Sequence, residues 1–221
     1  MTDTEIIPAI LPQDFAELEE KAELVKGLVK TVQVDICDGH FVPSFTWPYK
    51  KSDNNFELII RENEGLPFWD EVDYEFDLMV NNPEKIVDEW VATGATRIII
   101  HAESKGNIAE AISKLSGRVE IGLALNIETP VSVIEPFRDL IQFVQIMGID
   151  HIGFQGQGFD KKAVGKVKEV HLKYPVLPIS VDGGVSPDNA EELIAAGATR
   201  LVIGSVIWHS DNIAETIHGI I

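Results

Sequence analysis

Short apolar runs rich in Val and Ile alternate along this chain with stretches whose apolar residues recur at helical spacing. The apolar runs predict strands over Glu5 to Leu11, Thr31 to Ile36, Tyr74 to Val80, Thr96 to His101, Glu120 to Asn126, Phe143 to Met147, Val176 to Val181 and Arg200 to Ile203. Between them, Asp14 to Gly27 reads as a helix: Phe15, Leu18, Ala22, Leu24 and Val25 form one stripe, and Gly27 ends it. Pro83 to Thr93 opens with Pro at the first helical position, and Ser186-Pro187-Asp188 repeats that signature before Asn189 to Ala196. The turns from helix to strand at Gly94-Ala95-Thr96-Arg97 and Gly197-Ala198-Thr199-Arg200 share one tetrapeptide, as if one unit were reused. Tyr49 to Asp73 fits this rhythm least: a helix-like centre, Phe56 to Glu62, sits in charged surroundings that leave room for an insertion.

No Pro/Ser-rich or Gly/Ser-rich linker divides the chain, so residues 1–221 read as one domain. Eight βα units in a chain of this length predict an α/β fold, a single (β/α)8 barrel rather than a doubly wound sheet. The chain is 45% hydrophobic, enough for a sizeable core. Its net charge of -18 argues against a nucleic-acid surface, which needs clustered Lys and Arg, and is accounted for by solvated helix faces. A phosphorylated ligand would be repelled at long range and would have to be held by backbone N–H groups and helix dipoles. The lone Cys37 allows no intramolecular disulfide, and the acidic start Met1-Thr2-Asp3-Thr4-Glu5 lacks an export pattern, so the expected compartment is the cytoplasm. No apolar stretch approaches the roughly 18 residues a membrane helix needs. Trp47, Trp69, Trp90 and Trp208 are expected in the core or an interface.

Two acidic segments carry the candidate chemistry: Val34-Asp35-Ile36-Cys37-Asp38-Gly39-His40 and Val181-Asp182-Gly183-Gly184. Each follows a buried strand, so Asp35 and Asp182 would reach the same end of a parallel barrel, where two carboxylates can move protons on two faces of one substrate. An Asp at a strand end also commonly binds neighbouring backbone, and Asp38 before Gly39 fits that structural role. Gly183-Gly184 reads as a tight turn with positive φ; with Val185-Ser186-Pro187 opening a helix behind it, it also reads as an anion nest.

These segments, with Ile7-Pro8-Ala9-Ile10-Leu11, Asp38-Gly39-His40-Phe41-Val42-Pro43, Leu78-Met79-Val80, Gly122 to Asn126, Gly153-Phe154 with Gly156-Gln157, and Gly204-Ser205, fall in an order that resembles the ribulose-phosphate 3-epimerases over nearly the whole chain. The resemblance implies a TIM barrel that inverts C3 of a ketose 5-phosphate with two aspartates and a divalent metal, interconverting ribulose 5-phosphate and xylulose 5-phosphate through an enediolate. Asp35 and Asp182 match the acid/base pair. Gly183, Gly184, Gly204 and Ser205 match the phosphate cradle, and Gly153 to Gly158, with Gly153 and Gly156, the mobile loop over it. Met79 and Met147 match methionines bordering the reacting carbon, a third such position being Cys37.

The departures concern the metal and the sugar pocket. The family's His, Asp, His, Asp metal set becomes Gln33, Asp35, Asp77 and Asp182. An all-oxygen set suits Mg²⁺, Mn²⁺ or Ca²⁺ and makes zinc a poorer partner. Without a cation, three neighbouring carboxylates raise one another's pKa values. Asp77 has a second reading, since Glu75 and Asp77 alternate with Phe76 and Leu78 and both could simply face polar space. Ala9 stands where relatives place a substrate-contacting Ser, and His151 to Gln157 reads His-Ile-Gly-Phe-Gln-Gly-Gln where relatives have Glu-Pro-Gly-Phe-Gly-Gly-Gln. His151 either replaces a lost polar contact or is solvated, and His101 is expected to be a buried, satisfied histidine. An epimerase of a six-carbon ketose 6-phosphate such as allulose 6-phosphate and a sugar-phosphate-binding homologue without activity are the alternatives; decarboxylases and aldol enzymes of the wider barrel group need a Lys near Asp77, and none lies between Tyr74 and Asn82. The expected partner is a phosphorylated ketose, and a homo-oligomer stays open because no exposed apolar stripe identifies a face.

Overall fold

The computed structural model describes residues 4–51 and 54–220. Met1 to Asp3 of the acidic start, and Ser52 and Asp53 within Tyr49 to Asp73, lie outside the described residues. Eight parallel strands close into a barrel in chain order: β1 (Glu5–Ile10), β2 (Thr31–Cys37), β3 (Asp73–Met79), β4 (Arg97–His101), β5 (Glu120–Leu125), β6 (Phe143–Met147), β7 (Ile179–Asp182) and β8 (Arg200–Ile203). The last strand pairs with the first, Ile7 beside Val202, so no edge is left open. Each strand predicted from the apolar runs is present. The largest difference is at β7, which starts at Ile179 because Val176 is exposed in the turn before Pro178.

Helices α1 (Phe15–Val25), α2 (Asn55–Ile60), α3 (Val87–Ala92), α4 (Ile108–Leu115), α5 (Lys162–Lys173), α6 (Pro187–Ala196), α7 (Ser205–Trp208) and α8 (Ile213–His218) surround the barrel. Their starts follow capping chemistry: Asp14, Asn107 and Asn212 each accept the backbone N–H three residues on, and Ser186 with Asn189 forms a capping box. The helix predicted over Pro83 to Thr93 is altered. Pro83 opens a 3-10 turn, Pro83–Lys85, and the α-helix starts only beyond Ile86. Between β5 and β6 there is a 3-10 turn alone, Val131–Ile134, because Pro130 and Pro136 bracket a segment too short for a helix.

Strand parity sorts the side chains. Val32, Val34 and Ile36 of β2 face outward and join the main core between strands and helices, together with Trp47 and Trp90. Trp69 lies outside the core and is 70% exposed. At the base of the barrel the repeated Gly-Ala-Thr-Arg turns deliver Arg97 and Arg200 inward. Arg97 pairs with Glu75 at 3.1 Å and with Glu5 at 3.3 Å, and Arg200 pairs with Glu5 at 3.3 Å. Above this ionic plug lie two small apolar clusters, Ile7, Ala9 and Val202, and Ile99, Ala124 and Phe143.

Candidate active site

The parity that sends Val34 and Ile36 outward leaves Gln33, Asp35 and Cys37 on the inner face of β2. The register sets Asp35 beside Asp77 and Cys37 beside Met79 on β3, and Met147 beside Asp182 across β6 and β7. Acids from three strands therefore arrive at one level near the C-terminal mouth. Asp35, Asp77 and Asp182 are buried, and each offers a carboxylate oxygen within 4.8 Å of the other two.

A single amide joins the pair singled out by sequence. Gln33 Nε2 donates to Asp35 Oδ1 at 2.8 Å and to Asp182 Oδ2 at 3.0 Å. Asp77 is held separately: its Oδ1 lies 2.9 Å from His101 Nε2, and its Oδ2 accepts from Gln145 Nε2 at 3.2 Å. Burial, reinforced by the charges of Asp182 and Asp77, pushes Asp35 well above the ordinary carboxylate range. Burial, then the charge of Asp77, pushes Asp182 up to about 7. For His101 burial acts the other way, but the charge and hydrogen bond of Asp77 prevail and raise it to about 10. The site therefore combines protonatable acids with a cationic imidazole at neutral pH.

One step closer to the mouth, Cys37, Met79 and Met147 pack with Val42, Ile149 and Ile152 in a cluster separate from the main core. Burial pushes the Cys37 thiol up to about 12, so it serves as a small polarizable wall and not as a nucleophile. Gly153, Gly156, Gly183, Gly184, Gly204 and Ser205 line one cleft with Ala9, Asp35 and Asp182. Gly183 and Gly184 have φ of 102° and 66°, and a Cβ on Gly184 would stand 2.7 Å from the backbone of Phe159, so glycine is required there. Among the described residues no Lys, Arg or His lines this cleft.

Other residues lie elsewhere. Asp38 takes the structural role, accepting from the backbone of His40, Phe41 and Asn81. The side chain of His151 is 79% exposed beside Asp150, the solvated alternative. His101 is buried as expected, yet it belongs to the acid cluster, and its Nδ1 lies 3.8 Å from Glu103 Oε2. Gln145 is a member of the site that the sequence motifs do not single out. Its signal was its parity, two residues before Met147 in a strand otherwise apolar.

A sequence profile of the ribulose-phosphate 3 epimerase family matches residues 5–208. The ribulose-phosphate 3-epimerase of Schizosaccharomyces pombe is 31% identical over an alignment covering 100% of this chain and 93% of its own. That of Bacillus subtilis is 32% identical, covering 92% and 91%. This chain belongs to the ribulose-phosphate 3-epimerase family. It is thus a member of a family of isomerases. Among solved structures, a 3-hexulose-6-phosphate synthase superposes with a TM-score of 0.71 at 18% identity, covering 98% of this chain and 97% of the other, a likeness of fold alone.

The family uses a divalent metal, and the residues present fit one. Three buried carboxylates converge, and the buried Gln33 Oε1 has no hydrogen-bond partner, giving a donor set made of oxygen. Such a set suits a hard cation, which would also offset the acid charge that burial makes costly.

Proposed function

We propose that this protein interconverts ribulose 5-phosphate and xylulose 5-phosphate by proton transfer at C3, with Asp35 and Asp182 as the acid/base pair. The observation that carries this reading is the amide of Gln33, which ties these two buried carboxylates together at the mouth of the barrel, beside a glycine-lined cleft. One carboxylate in its basic form takes the C3 proton next to the C2 carbonyl, giving an enediolate. The other, in its acid form, returns a proton to the opposite face. Asp182, raised to about 7, can act as base or acid near neutral pH, and the upward displacement of Asp35 favours its acid form, the condition for transfer in both directions. Gln33 orients both groups, while Met79, Met147 and Cys37 keep water from the reacting carbon.

Asp35, Asp77 and Asp182 with Gln33 Oε1 would hold a divalent cation, Mg²⁺ or Mn²⁺ in preference to zinc. A bound cation supplies positive charge against developing oxyanions. Gly183, Gly184, Gly204 and Ser205, with Gly153 and Gly156 from the loop, would hold the phosphate through backbone N–H groups, as suits a cleft without cationic side chains. No helix among the described residues is long and apolar enough to cross a membrane. We read the site as acting in the cytoplasm, as one barrel domain.

Incubation with ribulose 5-phosphate in deuterated water, with chelator and then with each added metal, tests the reading by NMR. Deuterium should enter C3 once Mg²⁺ or Mn²⁺ is supplied. Exchange on a six-carbon ketose 6-phosphate alone would reassign the substrate, and no exchange with any metal would make the protein a sugar-phosphate binder.

A further inference from the structure

The cleft has to hold a phosphoryl group without a cationic side chain, so each neutral donor in it counts. Three of its residues carry side-chain N–H or O–H donors: Gln155, Gln157 and Ser205. Gln157 Nε2 is engaged within its own loop, donating to the carbonyls of His151 and Phe154. Gln155 is placed differently. Its Nε2 reaches across the mouth and donates to the carbonyl of Ala9 at 3.0 Å, an oxygen that also accepts from Trp208 Nε1 at 2.6 Å.

The same amide lies over the cradle. A Cβ built on Gly204 would meet Gln155 Nε2 at 2.6 Å and its Cδ at 3.0 Å. A carboxamide nitrogen has two N–H groups, and the bond to Ala9 uses one. The second is available at the glycine backbone where the phosphoryl group would rest.

We propose that Gln155 is a substrate-binding residue, its carboxamide held in place by Ala9 and donating an N–H to a phosphoryl oxygen in the Gly204-Ser205 cradle. The inference rests on the sugar-phosphate reading above. It makes Gln155 a side-chain substitute for the cationic contact this acidic chain does not place in the cleft.

The test is calorimetric titration of the wild type, Gln155→Gly and Gln155→Lys with inorganic phosphate, with ribitol 5-phosphate, which has no carbonyl to react, and with ribitol. A hydrogen bond to a charged group predicts that Gln155→Gly weakens both phosphorylated probes about tenfold or more and leaves ribitol unchanged. Gln155→Lys, which restores a donor, should recover the phosphate affinity. Unchanged thermal unfolding of both variants excludes a folding defect. If Gln155→Gly binds the phosphorylated probes as well as the wild type does, or more tightly, the donor role is overturned, and tighter binding would make the amide a plug. If the wild type itself binds neither phosphorylated probe, the sugar-phosphate reading falls and takes this inference with it.

Discussion

Asp77 Oδ1 and His101 Nε2 lie 2.9 Å apart on adjacent strands, and both side chains are fully buried. Burial alone would strip His101 of its proton, yet Asp77 keeps it protonated up to about 10. The pair thus places a positive charge inside a cluster of three acids, and that charge lowers the pKa of both Asp35 and Asp182.

A consequence for the pH profile follows from the sign of this effect. Removing the imidazolium in His101→Asn takes away a charge that favours ionised Asp182, so the pKa of about 7 moves up. Less of the basic form is then present at a given pH. The acid limb of the profile for C3 exchange should shift upward by about one pH unit, while the rate on the plateau changes less. An acid limb that stays in place would show that His101 is electrostatically remote from the reacting acids.

The two carboxylates proposed as the acid/base pair should be separable from binding. Asp35→Asn and Asp182→Asn keep the shape of the site and remove one acid or base each. Each should lower C3 exchange by roughly 10²–10⁴-fold, the usual contribution of a positioned acid or base, with affinity for ribitol 5-phosphate nearly unchanged. Normal turnover in either variant would refute the pairing. Since the two act as a unit, the double variant should be little worse than either single one.

Much of this arrangement is legible in the chain. Gln33, Asp35 and Cys37 share one parity in a buried strand, and Gly183-Gly184 follows Asp182 directly, so both acids and the glycine turn could be placed at one end of the barrel from pattern alone. Partners across the barrel could not. The bond of Asp77 to His101 depends on the register of β3 against β4, and that of Gln155 to Ala9 joins residues far apart in sequence. Local periodicity carries no information about either. Likewise the Gly-Ala-Thr-Arg repeat announces a turn, but the meeting of Arg97 and Arg200 at Glu5 comes from closure of the barrel.

Metal preference should follow the donor set. Addition of Mg²⁺ or Mn²⁺ to chelator-treated protein should raise its melting temperature, because a ligand bound only by the folded state stabilises it. Affinity should increase as pH rises through about 7, since Asp182 has to lose its proton to act as a ligand. Restoring imidazoles in the double variant Gln33→His with Asp77→His should reverse the order and favour Zn²⁺. Melting shifts measured with each metal in turn decide this, and an unaltered order would locate the cation elsewhere.

The loop behind β2 offers a test of stability distinct from chemistry. Asp38 Oδ1 accepts from the backbone N–H of His40 at 2.7 Å and of Phe41 at 2.8 Å, while Oδ2 accepts from Asn81 N at 2.8 Å. One carboxylate therefore ties the loop after β2 to the segment after β3, beside the strand ends that carry Asp35 and Asp77. Asp38→Ala leaves these N–H groups without their acceptor and should cost about 2–3 kcal/mol, since bonds to a charged group exceed the ordinary value. For a chain of this length that corresponds to a fall of roughly 5–10 °C in melting temperature. Asp38→Asn keeps one acceptor oxygen and should lose about half as much. Below its melting point Asp38→Ala should retain far more C3 exchange than Asp35→Asn, because Asp38 holds the loop and the proton moves elsewhere. An Asp38→Ala protein that melts with the wild type but is inactive would instead place Asp38 in the reaction.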